Sequence, residues 1–121
     1  MKYALLIYSA LDAADYAAPA AEAGDDWVAY TRALKDAGVL VAAERLTRTD
    51  TATSVRVRGE DRLLTDGPYM ETKEHLMGFY LLDLPDLDTA LEWAARMPAA
   101  AFGTVEVRAV HTGDPWRAVL D

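Results

Sequence analysis

The sequence predicts an α+β fold, a ferredoxin-like antiparallel sheet with two helices on one face, and three observations lead there. A β-α-β pattern occurs twice; a short alternating hairpin separates the two occurrences; and the runs at 3–8 and 76–84 are apolar on nearly every residue, as strands central to a sheet are. The chain has 121 residues and a mass of 13.2 kDa, which suits a single domain over 1–121 with a radius of gyration of about 14 Å.

The elements follow in order. YALLIY, 3–8, is a strand buried on both faces that stops at Ser9, and 10–24 is an alanine-rich connection interrupted by Pro19 and Gly24. Asp25 or Asp26 caps a helix whose apolar stripe is Trp27, Tyr30, Leu34 and Ala37, and Gly38 supplies its left-handed stop. VLVAAERL, 39–46, is the next strand, and the threonine-rich 47–53 is a loop. SVRVR, 54–58, pairs with RLLT, 62–65, through a turn at Gly59, with Val55 and Val57 directed inward and the arginines outward. After the strand at 76–84, Pro85 stops the sheet and Asp86 caps a second helix with Leu87, Ala90, Leu91 and Ala94 at helical spacing, as far as Pro98. GTVEVRAV, 103–110, is the last strand, and a polar tail carrying Trp116 runs from about residue 111.

This topology has one consequence for function. The two central strands offer large apolar side chains to both faces, whereas two helices cover only one. Tyr8, Phe79 or Tyr80, Leu40 or Val41, and Leu5 or Leu6 would each forgo about 1.5–3 kcal/mol if left in water. A second copy packed sheet to sheet relieves this, so a homodimer is expected, with the space between the sheets as a ligand cavity.

Composition excludes several classes. A net charge of −8 repels phosphate backbones and anionic lipid, and Arg56, Arg58 and Arg62 are interleaved with Glu60 and Asp61, so neither nucleic acid nor membrane is an expected partner. No apolar run reaches the 18 residues or so of a membrane span, residues 1–9 are too short for a signal peptide, and cysteine is absent; a cytoplasmic location is expected. Metal is not expected, because His75 and His111 are the only imidazoles and stand far apart. No phosphate loop, nucleophile elbow or dinucleotide fingerprint occurs, so no cofactor is expected either.

The stretch TDGPYMETKEHLMGFYLL, 65–82, carries the densest chemistry. Asp66-Gly67-Pro68 is turn chemistry, with the carboxylate able to accept backbone N–H groups; the same turn would also deliver Asp66 and Tyr69 to a cavity mouth, where a desolvated carboxylate acts as a base. Glu71, Lys73, Glu74 and His75 read either as a solvated ion-pair cluster or, with Glu71 and His75 one helical turn apart, as acid/base groups. Tyr8, Trp27, Tyr30 and Tyr80 fit the wall of a site for a flat aromatic or heterocyclic ligand, and equally fit a core. Arg45 and Arg108 are the cations that strand parity places to meet a ligand carboxylate.

Asp66-Gly67-Pro68-Tyr69, Glu71-Thr72-Lys73-Glu74, Gly78-Phe79-Tyr80-Leu81, Asp86-Leu87-Asp88 and Gly103-Thr104-Val105-Glu106-Val107-Arg108 together closely resemble the YCII-related family, in its DGPF-motif branch, over Lys2 to Val110. Tyr69 stands where Phe is usual, and Met77 replaces a frequent Gly. The resemblance implies a dimeric α/β barrel of ferredoxin-like protomers. It also implies that some relatives act on small ring compounds through a His and Asp pair; Trp27 occupies the histidine's position here and Asp36 matches the acid loosely, so the pair is absent. Two functions follow as expectations. One is a cofactor-free small-molecule enzyme or binder with Asp66, Tyr69, Lys73 and His75 at the pocket mouth. The other, from the branch's similarity to proteins encoded beside extracytoplasmic-function sigma factors, is a non-catalytic regulatory partner.

Overall fold

A computed structural model describes residues 1–10, 24–68 and 73–121. The described elements are β1 (Lys2–Ser9), α1 (Gly24–Asp36), β2 (Leu40–Arg45), β3 (Thr53–Arg58), β4 (Asp61–Asp66), β5 (His75–Asp83), α2 (Leu87–Arg96) and β6 (Thr104–Ala109), with short 3-10 helices at Thr49–Thr51, Pro98–Ala101 and Pro115–Leu120. Four strands form an antiparallel sheet in the order β2-β5-β1-β6, which is the ferredoxin-like arrangement with the two apolar strands at its centre. The alanine-rich connection at 11–23 lies outside the described residues.

Alternation in β1 decides the core. Tyr3, Leu5 and Ile7 are buried beside Tyr80 and Leu82 of β5, and beneath Tyr30 and Leu34 of α1 and Ala90 and Ala94 of α2. Cross-strand partners share a face, so Leu6 with Phe79, Ala4 with Leu81 and Tyr8 with Leu76 lie on the opposite side. Those residues are half-buried or exposed, while Leu5 and Leu82 on the helix side are fully buried. Of the alternatives left open by sequence, Leu5 and Tyr80 take the helix side and Leu6 and Phe79 the other.

Four local expectations are corrected. Helix α1 begins at Gly24, so Asp25 and Asp26 sit in its first turn, where their charge complements the helix dipole, instead of capping it. Its C-terminus is as expected: Gly38 has φ 74°, the Val39 N–H reaches the Leu34 carbonyl at 3.2 Å and the Gly38 N–H the Lys35 carbonyl at 3.0 Å, a Schellman closure. Helix α2 is capped by Asp86 as expected, with its carboxylate accepting from the Thr89 N–H at 2.8 Å, but the buried face is Ala90 and Ala94, with Trp93 half-buried. Leu87 and Leu91 remain about half exposed, because the small alanines let the helix settle on that side. The tail is apolar at its end: the turn at Pro115–Leu120 leaves Trp116, Val119 and Leu120 in solvent.

The fourth correction concerns the hairpin. β3 and β4 join through Gly59-Glu60, with Gly59 at φ 62°, and form a separate two-stranded sheet. Val55 and Val57 do not point into a core; they are 58% and 61% exposed, and every residue of β4 is exposed.

Candidate functional site

The candidate site lies at one end of the four-stranded sheet, where β1 finishes, β2 runs into the threonine-rich turn and β5 starts. The Leu46 N–H donates to the Met77 carbonyl at 2.8 Å, which carries the β2–β5 pairing one residue past the strand and fixes the turn's departure. Arg48 then binds Asp50 through two bonds, Nε to Oδ1 at 3.1 Å and Nη2 to Oδ2 at 2.7 Å. That hydrogen bond, and next Asp50's charge, raise the Arg48 pKa above its ordinary value. The Thr51 hydroxyl donates to the Arg48 carbonyl and lies 2.8 Å from the Thr47 hydroxyl, so the turn is braced by its own side chains.

Between this turn, Tyr8 and the start of β5 opens a cleft of about 490 Å³. The residues that line it and carry polar side chains are Tyr8, His75, Glu74, Arg48, Thr47, Thr49 and Thr51; Leu46, Ala52, Leu76 and Pro68 complete a lining that is mainly apolar. A register shift between Ile7 and Tyr8 sets Tyr8 opposite Leu76 and Ser9 opposite His75. Glu74 accepts a bond from the Thr104 hydroxyl at 3.3 Å, which ties the mouth of the cleft to β6. The site thus offers a phenol, an imidazole, a carboxylate and several hydroxyls, beside one cation already paired to its own aspartate. Such a set can hydrogen-bond a ring bearing hydroxyl or oxo groups and exchange protons with it. Among the described residues, no group of three or more His, Cys, Asp or Glu side chains is arranged to hold a metal ion, and no helix is long and apolar enough to cross a membrane.

Comparison with known proteins places this geometry in a family. The YCII-related domain matches residues 1–117. This chain belongs to the YCII-related family. The YCII-related chain is 40% identical over 85 residues to an uncharacterized protein of Rhizobium meliloti (strain 1021), an alignment covering 69% of this chain and 68% of that protein. Its fold is also that of the 5-chloro-2-hydroxyhydroquinone dehydrochlorinase of Burkholderia phenoliruptrix AC1100, solved in complex with 2,5-dihydroxybenzoquinone. That match has a TM-score of 0.54 over 93% of this chain and 96% of the other, at 10% identity.

The YCII-related chain divides the residues singled out from sequence into separate groups. Tyr8 and His75 meet in the cleft. Trp27, Tyr30 and Tyr80 do not join them; they form a cluster on the helix side of the sheet, with Trp27 stacked on Tyr80 at 6.1 Å and Tyr30 edge-on to Tyr80 at 5.5 Å. Tyr30 donates to the Trp93 carbonyl at 2.8 Å, and the hydroxyls of Thr31 and Tyr80 lie 2.7 Å apart. Burial, followed by the neighbouring Tyr80, pushes the Tyr30 phenol well above the ordinary tyrosine range, so it stays protonated. Tyr30 and Tyr80 are buried in the core, whereas Trp27 is half-buried and lines a separate cleft with Thr31 and Lys35.

Asp66 ends β4 with its side chain exposed and outside the cleft, so the desolvation expected of a base is missing. Lys73 is exposed as well. Tyr69 and Glu71 lie outside the described residues, and His75 opens a strand, so no helix places it one turn from Glu71. By register Arg45 falls opposite Gly78 on the helix side, whereas Arg108 falls opposite Ala4 on the other face. Asp36 is at the exposed end of α1, away from the cleft. Sequence reasoning passed over Thr47, Arg48, Thr49 and Thr51 as a loop. The signal was the density of hydroxyls around an Arg-x-Asp pair immediately after a strand.

Proposed function

We propose that this protein is a cofactor-free binder of, or enzyme for, small aromatic or heterocyclic molecules. In this reading it belongs to the DGPF branch, works as a homodimer and holds its ligand in the cleft beside Tyr8 and His75. The observation that carries the reading is that Tyr8, His75 and Glu74 all line one cleft of about 490 Å³. That size is typical of small-molecule sites. His75 moves a proton to or from a ring hydroxyl, Tyr8 orients that ring, and the threonine hydroxyls hold its other oxygens. The fold shared with a protein solved in complex with a dihydroxybenzoquinone is in keeping with a flat ring ligand, although the likeness extends to fold alone. In the dimer, Asp66, Tyr69 and Lys73 serve as further polar groups at the mouth.

A thermal-shift panel of hydroxylated aromatic acids, quinones and heterocyclic acids tests this. A true ligand at a hundredfold excess over its dissociation constant contributes about 2.7 kcal/mol and raises the melting temperature by several degrees. His75→Gln and Tyr8→Phe should each weaken binding about tenfold while leaving the ligand-free melting temperature within about 2 °C. If no member of the panel shifts the melt, and a crystal structure finds the cleft filled by side chains, the regulatory-partner function replaces this one.

A further inference from the structure

The β3–β4 hairpin offers an apolar surface that nothing in the described chain covers. Its register places Val55 opposite Leu64 and Val57 opposite Arg62, so Val55, Val57 and Leu64 share one face, with Arg62 beside them. They are 58%, 61% and 60% exposed, and neither face packs on the four-stranded sheet. An isolated two-stranded hairpin is marginal in water and gains stability by packing on something else. This one is nonetheless held at its root: the Gly67 N–H donates to the Ala52 carbonyl at 2.6 Å, and the Ser54 hydroxyl to the Gly67 carbonyl at 2.9 Å.

Charge identifies the occupant. Arg56, Arg58 and Arg62 balance Glu60, Asp61 and Asp66, so the hairpin is neutral in a chain that carries −8 overall. A basic partner would be drawn to the rest of the molecule; a second copy of the same acidic chain meets it best through its neutral part.

We infer that the hairpin is an arm that docks its Val55–Val57–Leu64 face on a second copy of this chain. This rests on the homodimer of the proposed function and adds where the copies grip. Ala52 and Pro68, immediately outside the hairpin at its two ends, line the cleft, so docking the arm also sets one cleft wall.

The test replaces the directly opposed pair by Val55→Lys with Leu64→Asp, which removes apolar surface while an ion pair across the strands maintains the hairpin. Sedimentation velocity over a dilution series should show the unaltered protein as a dimer and the double variant dissociating at concentrations at least about a hundredfold higher. An unaltered protein that is monomeric throughout overturns both the dimer and the arm. A dimer whose dissociation constant the double variant leaves unchanged overturns the arm alone. Should the variant not fold, hydrogen exchange on the unaltered protein decides: amides at 53–66 that lose protection on dilution support the arm, and amides indifferent to dilution refute it.

Discussion

Gly103 and Gly78 illustrate how much a single missing side chain decides. A Cβ at Gly103 would stand 2.2 Å from the Tyr8 carbonyl oxygen, and one at Gly78 would stand 2.6 Å from the Glu44 carbonyl oxygen. Both obstacles are backbone, so neither can swing aside. Gly103→Ala should cost about 2–4 kcal/mol by chemical denaturation. Because the atom it displaces belongs to Tyr8, ligand affinity should also fall in the molecules that remain folded. An alanine variant as stable as the parent would mean that β6 starts elsewhere. Neither contact could be read from sequence. Pattern reasoning sees glycine as a turn or a break, whereas these two are sites of close approach between strands distant in the chain. The aromatic residues were ambiguous for the same reason. Trp27 and Tyr30 at helical spacing mark one helix face, and only the structure shows that Tyr30 is buried against Tyr80 while Trp27, stacked on Tyr80, is half-buried.

At the level of elements, the sequence was most legible where local chemistry is decisive. Asp86 was recognisable as a cap because an aspartate three residues before a threonine, directly after Pro85, leaves the helix little choice of start. The bonds from Thr89, side chain first and backbone second, hold the Asp86 carboxyl below its ordinary value of 3.8. A carboxylate stabilised in this way favours the folded state above the unfolded pKa and loses that effect as pH falls through the folded one. Asp86→Ala should therefore lower the melting temperature by about 3–6 °C at neutral pH, and the two melting curves should converge in acid. Parallel curves down to the most acidic pH would mean that the cap acts through something other than its charge. The hairpin was legible as a hairpin but not in its placement. Alternation assigned Val55 and Val57 an inner face, yet alternation gives no information about whether a core exists on that side. The threonine turn was illegible for a related reason: its rigidity comes from bonds between side chains that a loop signal does not encode.

At the scale of the whole molecule, the alternating burial of β1 and β5 makes the sheet asymmetric among the described residues, with the two described helices on one side and half-buried leucine, phenylalanine and tyrosine on the other. The sheet was predictable because its two central strands are apolar throughout. The site was only partly predictable. Tyr8 and His75, candidates from the sequence, line the same cleft, but the elements they meet across it come from a stretch that has no pattern of its own. The hairpin's internal charge balance has a last consequence, in the response to salt. In the inferred dimer, two bodies of −8 brought together by uncharged contacts would repel at long range, and added electrolyte would screen that penalty within about 8–10 Å. Assembly should accordingly tighten, by about three- to tenfold, as ionic strength rises from dilute buffer to physiological levels. Ultracentrifugation at several sodium chloride concentrations measures the trend; an association loosened by salt would instead point to ion pairs between the copies.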